Sequence, residues 1–121
     1  MKKAILTALF AVFTLVSFAH AQTTGISPNN IDPGGTTTVT VTGLQPNTTY
    51  TVKFTGVGED PYGIWTTGER QVTTDANGVA SWDETITNWP ADNDYATTVG
   101  IKDPDNGHWS NQTTGNLHIK P

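Results

Sequence analysis

Residues 36–54, TTTVTVTGLQPNTTYTVKF, contain two stretches in which apolar and polar side chains alternate. A period of two residues is the pattern of a strand with one buried face and one exposed face. The residues between the two stretches, 43–47, carry the glycine, proline and asparagine typical of turns. We therefore predict two strands joined by a corner, and this corner is structural and not a binding site. The predicted inward side chains are Val39, Val41, Tyr50, Val52 and Phe54.

The same alternation recurs along the rest of the chain. Further inward rows are predicted at Ala80, Trp82 and Ile86; at Tyr95, Thr97, Val99 and Ile101; and at Leu117 and Ile119. Glu84 falls on the inward face of its row, which indicates a β-bulge or a strand end. Weaker strands are expected around Ile26, at Ile64-Trp65 and at Val72. About seven short strands separated by turns predict an all-β fold, an antiparallel β-sandwich.

The N-terminus has the features of a secretory signal peptide. Lys2 and Lys3 precede a mostly apolar run, residues 4–18, and small residues at Ala19 and Ala21 suit signal peptidase. A retained membrane anchor is the alternative, but the run is short for a membrane span. Cleavage after Ala21 would leave one domain, residues 22–121. The chain has no cysteine for a lipid anchor or a disulfide, so we expect a secreted or periplasmic bacterial protein with no membrane anchor.

Charge argues against some partners. The full chain has 6 Lys and Arg residues against 11 Asp and Glu. Without Lys2 and Lys3 the balance is 4 − 11 = −7. No basic cluster is present in the sequence, so neither nucleic acid nor an anionic lipid surface is an expected partner.

Three phrases of the sequence resemble the bacterial Ig-like modules of exported and cell-surface proteins. They are SPNNIDPGGTTTVTVTGLQPNTTYTVKF, TTDANGVASW and DNDYATTVGI. A fibronectin type III domain is the poorer match, because the Leu-Pro-Thr-Tyr joint comes late in that family and early here. The resemblance implies an Ig-like β-sandwich and a role in protein binding, adhesion or extracellular structure.

Residue patterns for catalysis or metal binding are scarce. No serine stands in a Gly-x-Ser-x-Gly elbow, and His108 and His118 lack the spacing of a zinc pair. We therefore predict no enzyme activity and no cofactor. Closely spaced oxygens at Asp103, Asp105 and Asn106 form a weak calcium candidate. The same residues are also what a plain hairpin turn contains.

Aromatic residues give the main candidates for binding. Trp82 fits the core, whereas Trp65, Trp89 and Trp109 lie in or beside predicted loops. Exposed rings of this kind stack on sugars or anchor protein interfaces. The alternative for each ring is that it packs over an open end of the sandwich. Tyr62, close to Trp65, completes the candidate set.

Two functions remain open at this point. The first is an exported, non-catalytic Ig-like module that binds protein or builds an extracellular structure, as a monomer or a homo-oligomer. The second is a small carbohydrate-binding protein that uses its loop tryptophans. The expected partner is thus a protein or a glycan at the cell surface.

Overall fold

A computed structural model describes residues 22–59 and 62–121, which form two β-sheets packed face to face. The expected signal peptide, residues 1–21, lies outside the described residues. The described part contains no helix, which confirms the all-β prediction. The strands are β1 (Thr23–Ser27), β2 (Asn30–Ile31), β3 (Thr36–Thr42), β4 (Thr49–Gly58), β5 (Ile64–Thr73), β6 (Ala80–Thr85), β7 (Asn93–Lys102) and β8 (Trp109–Ile119).

The strands divide unequally between the two sheets. One sheet has three strands in the order β1-β3-β6, and the other has five in the order β2-β8-β7-β4-β5. Neighbouring strands are antiparallel, except that β2 pairs with β8 in parallel. The expectation of a purely antiparallel arrangement is therefore wrong at one short pair. A strand of two residues carries too little alternation for the sequence to reveal it.

The core lies between the two sheets and is made of the side chains that alternate inward. Burying this apolar surface is the main force that holds the sheets together. Every side chain predicted to face inward is buried, namely Val39, Val41, Tyr50, Val52, Phe54, Ala80, Trp82, Ile86, Tyr95, Thr97, Val99, Ile101, Leu117 and Ile119.

The corner at residues 43–47 carries the chain from β3 in one sheet to β4 in the other. The hydroxyl of Tyr50 accepts a hydrogen bond from the backbone N–H of Gln45 at 3.1 Å. The buried hydroxyl of Thr74 donates to the Gln45 carbonyl at 2.6 Å. Asn47 supplies a left-handed conformation, with φ 51°. These contacts fix the crossing, as expected for a structural corner.

Strand β5 corrects one sequence expectation. Two weak strands were expected around Ile64-Trp65 and Val72, but β5 is continuous from Ile64 to Thr73. The strand can continue because its pairing with β4 shifts register between Lys53 and Thr55. Gly68 takes a φ of 91°, which other residues rarely adopt. The irregularity that looked like a break is a bulge within one strand.

Glu84 was expected at a β-bulge or a strand end, and it lies near a strand end. No bulge occurs at this position, because β6 keeps regular pairing with β3 and ends one residue later, at Thr85. The Glu84 side chain is instead buried, and its Oε2 accepts a hydrogen bond from the Trp82 indole at 2.8 Å. Arg70 reaches across from β5 to lie 3.5 Å from Oε1 and donates to the Asp83 carbonyl at 2.9 Å. A buried carboxylate is tolerated here because a cation from the other sheet faces it.

Candidate functional site

Trp109 lies on the outer face of the five-stranded sheet, the face that points away from the core. In the β7–β8 register Trp109 is opposite Lys102 and Asn111 is opposite Gly100. In the β4–β7 register Lys53 is also opposite Gly100. Directly paired residues project from the same side of a sheet, so these side chains share one surface. We call Lys53, Gly100, Lys102, Trp109 and Asn111 the Trp109 face.

The missing side chain at Gly100 makes room for the indole. A Cβ atom at Gly100 would lie 3.2 Å from Cε3 of Trp109 and 3.1 Å from Oδ1 of Asn111. Both side chains therefore lean across strand β7 at this position. The ammonium of Lys53 is 5.2 Å from the centroid of the indole, within cation–π distance. Trp109 keeps 39% of its surface exposed, so an apolar ring is presented to solvent among polar groups.

Trp65 and Tyr62 are placed differently. Trp65 is half-buried, packs against the core, and its indole N–H donates to the carbonyl of Tyr62. Tyr62 itself is 37% exposed. The ring of Trp65 borders a groove of about 320 Å³ at the edges of β5 and β6. The groove is lined by Trp65, Thr66, Thr67, Thr85, Thr87, Asn88 and Trp89.

Trp89 is buried, and the prediction that this ring is available for contact is wrong. Only 6% of it is exposed, and it stacks on Phe54 with centroids 6.0 Å apart and planes at 9°. A Cβ at Gly56 would lie 2.3 Å from the indole, so Trp89 fills the space that this glycine leaves on the inner face. For Trp89 the alternative holds, because the ring packs over the core. Trp82 is also buried, as predicted.

The calcium candidate is a turn in which two side-chain oxygens accept hydrogen bonds from backbone amides. Oδ1 of Asp103 accepts from the N–H of Asp105 at 2.8 Å, and Oδ1 of Asn106 accepts from the N–H of His108 at 2.8 Å. The carboxylate of Asp105 is exposed at the tip. No group of three or more His, Cys, Asp or Glu side chains that could hold a metal ion occurs among residues 22–59 and 62–121. The geometry is that of the plain hairpin turn, in which Asp and Asn cap backbone amides.

His118 and Asp94 form a surface pair across β7 and β8. Nδ1 of His118 lies 2.8 Å from Oδ1 of Asp94, and both side chains are partly exposed. This resembles the orienting half of a hydrolytic triad. Within the described ranges, however, no hydroxyl group forms a hydrogen bond to the ring. The pair links the neighbouring strands β7 and β8 on the surface of the sheet.

Four residues of the Trp109 face were not in the candidate set taken from the sequence. The alternation places Lys53 on the outer side of its strand, but it does not say which residues stand beside it. That information lies in the pairing of the strands. Lys53 is opposite Gly100, 47 positions later in the chain, and Gly100 is opposite Asn111, 11 positions later. A glycine inside an alternating strand, as at Gly100, was the one available signal that a side chain or ligand approaches the backbone closely.

Comparison with known proteins gives only distant likenesses. No protein-family model matches this chain, and neither does any curated protein sequence. Among solved structures, the sporulation control protein Spo0M from Bacillus subtilis is 15% identical, with a TM-score of 0.49; the match covers 83% of this chain and 49% of that one. The alkylpurine DNA glycosylase AlkC from Pseudomonas fluorescens, bound to DNA with an abasic site analog, is 11% identical, with a TM-score of 0.42 over 92% of this chain and 36% of that one. The chain thus spans about half of the first structure and about a third of the second, and neither likeness assigns a function.

One structural finding bears on the membrane. Within residues 22–59 and 62–121, no helix is long and apolar enough to cross a bilayer.

Proposed function

We propose that this chain is an exported, non-catalytic module of the Ig-like class that acts by binding at the bacterial cell surface, in adhesion or extracellular structure. The observation that carries the proposal is the strand order. The three-stranded sheet combines the first, third and sixth strands, and the other sheet contains β8-β7-β4-β5. In Ig-like sandwiches, strands A, B and E likewise share one sheet, while G, F, C and C′ form the other. The corner at residues 43–47, which is bonded to the Tyr50 hydroxyl, then lies between strands B and C.

Binding is the activity that the surface favours. The polar side chains that are buried, such as Glu84 and Thr74, hold the sheets and the corner together. The Trp109 face, in contrast, presents a partly exposed indole that is not part of the core cluster. Tryptophan is one of the residue types most enriched among those that carry the binding energy of protein interfaces.

Export is tested by intact mass of the protein recovered from its host. We expect a chain that begins at Gln22 in the periplasm or the medium. Recovery of a cytoplasmic chain that still contains residues 1–21 would contradict export.

Binding is tested on the envelope of the same host. The purified protein should bind intact cells or isolated envelope, and Trp109→Ala should abolish most of this binding. Ile64→Ala is the matched control, because Ile64 is a 73% exposed apolar residue on the same outer face but outside the Trp109 face. Equal loss in both variants, or no binding by the unmodified protein, would contradict the proposal.

Carbohydrate binding is a second candidate, favoured by the position of one ring. The Trp109 indole lies over Gly100 and is 39% exposed, and an exposed indole can stack on a sugar. Trp89 is buried and cannot take part, and Trp65 is half-buried beside the groove. A glycan array probed with the full chain separates this candidate from protein binding.

A further inference from the structure

We propose that the Trp109 face binds an acidic polysaccharide, with a sugar ring on the indole and its carboxylates on Lys53 and Lys102. This inference rests on the proposed binding function and names its ligand class. It starts from the distribution of positive charge. The described residues include four Lys and Arg side chains in a chain whose carboxylates outnumber them. Two of the four, Lys53 and Lys102, project from the Trp109 face.

These two lysines differ from the other cations in their partners. The ion pairs among the described residues use Arg70 with Glu84, His118 with Asp94, and Lys120 with Asp32. Neither Lys53 nor Lys102 takes part in any of them. Glu69 stands opposite Lys53 on β5, but on the side of Lys53 away from Trp109 and at more than ion-pair distance. The Lys53 ammonium therefore lies over the indole without an ion-pair partner among the described residues. Lys102 is opposite Trp109 in the β7–β8 register, and its Cε lies near Gly107 in the following turn.

The chemistry around the ring fits a sugar better than a protein. A protein interface needs a contiguous apolar centre. Here the apolar surface is one indole, and its neighbours are Lys53, Lys102 and Asn111. A pyranose has one face of C–H groups and a rim of hydroxyl groups. The indole matches the face, the Asn111 amide matches the rim, and the ammonium groups match carboxylate substituents.

Gly100 acts as a positioning residue for this site. A Cβ atom at this position would lie 3.2 Å from the indole and 3.1 Å from the Asn111 amide oxygen, closer than ordinary van der Waals contact. Both side chains would therefore have to shift. The ring would then tilt away from the sheet, while Trp109, Lys53 and Lys102 would all remain present. A valine at this position suits a strand and tests the placement of the ring separately from its presence.

The test uses the full chain in calorimetric titrations against oligosaccharides of uronic acids, from galacturonan, alginate and hyaluronan, and against neutral oligosaccharides of the same length. We expect at least one acidic series to bind and the neutral ones to bind at least about tenfold more weakly. Trp109→Ala should weaken binding about tenfold or more. Lys53→Gln and Lys102→Gln should each weaken it several-fold and reduce its salt dependence. Lys120→Gln, which removes the same charge elsewhere, should change little.

Each contrary result overturns a definite part of the proposal. Equal affinity for neutral oligosaccharides would show that the ligand need not be acidic. Equal affinity for poly-glutamate would show that the site binds carboxylates without needing a sugar. Binding that survives both Trp109→Ala and Gly100→Val would place the site elsewhere. If no acidic oligosaccharide binds, the inference is wrong, and the envelope assay then decides the broader function. If envelope binding still requires Trp109, the proposed binding function stands and only the acidic ligand is wrong. If the protein does not bind the envelope either, both proposals are wrong.

Discussion

Trp89 and Trp109 lie over glycines on opposite faces of the five-stranded sheet. On the inner face, a Cβ at Gly56 would come within 2.3 Å of Trp89. On the outer face, a Cβ at Gly100 would come within 3.2 Å of Trp109. The local arrangement is the same, an indole over a strand that lacks a side chain. The exposed fractions nevertheless differ, at 6% and 39%.

The difference comes from what covers each ring. Trp89 is enclosed between the sheets, where Phe54 and Tyr95 pack against it at centroid distances of 6.0 and 5.1 Å. Trp109 has the Lys53 ammonium over its ring and no other aromatic side chain against it among the described residues. An indole over a glycine is therefore a core element on one face and an exposed ring on the other, where we propose that it binds a ligand. The two faces should respond to substitution in opposite ways, first in stability and then in binding.

Replacing Trp89 with alanine should have the largest effect on stability. The variant loses the contacts with Phe54 and Tyr95 and leaves a cavity over Gly56, at a cost of about 3–5 kcal/mol. Such a loss is a large part of the stability of a small domain. Urea denaturation followed by circular dichroism measures it. A loss below about 1 kcal/mol would mean that the ring is not packed as described.

Replacing Arg70 with methionine should have the next largest effect. Methionine keeps the aliphatic bulk but leaves the buried Glu84 carboxylate without its cation, at a cost on the order of 3 kcal/mol. Adding Glu84→Gln should recover part of this loss, because the buried group is then neutral. Denaturation of the single and double variants measures the coupling. If the two losses simply add, the ion pair does not link the sheets.

The sequence was sufficient for the inward-facing rows of the regular strands, but not for the short β2, the continuity of β5 or the contacts between strands. Alternation identified the inward rows because it is a local property of a half-buried strand. The sequence could not identify the partner of Glu84, because Arg70 belongs to the other sheet. Trp89 was misread because the space it fills is created by Gly56, 33 positions earlier in the chain. Lys53 and Gly100 were missed for the same reason, since only the register joins them to Trp109.

Replacing Tyr95 with phenylalanine should have a smaller effect that depends on pH. The hydroxyl donates to the Pro90 carbonyl, and its loss should cost about 1 kcal/mol near neutral pH. Burial raises the pKa of Tyr95, although a hydrogen bond with Asn93 acts in the opposite direction. The unfolded state therefore loses this proton first, near pH 10, and the folded state loses it only at higher pH. The neutral hydroxyl therefore contributes its full stability below about pH 10, the pKa of the unfolded state. This contribution is lost as the pH rises through the pKa of the folded state.

Thermal melts of the two proteins from pH 7 to 11 test this sign. The unmodified protein should lose stability more steeply than Tyr95→Phe above about pH 10, so the gap between them should narrow. The two proteins differ only at this hydroxyl, so a difference between their pH profiles reports on Tyr95. A gap that widens with pH would mean that the folded state favours the ionised form.

Replacing Trp109 with alanine should have the smallest effect on stability. The ring covers only the outer side of Gly100, so its removal leaves no cavity in the core and should shift the melting temperature by no more than about 2 °C. The same variant should lose envelope binding, whereas Trp89→Ala, studied at a temperature where it remains folded, should keep it. Trp89→Ala should thus reduce stability and keep binding, whereas Trp109→Ala should keep stability and reduce binding. If Trp109→Ala instead destabilised the protein as much as Trp89→Ala, the outer indole would be part of the structural core, and the Trp109 face would lose its claim to be a binding site.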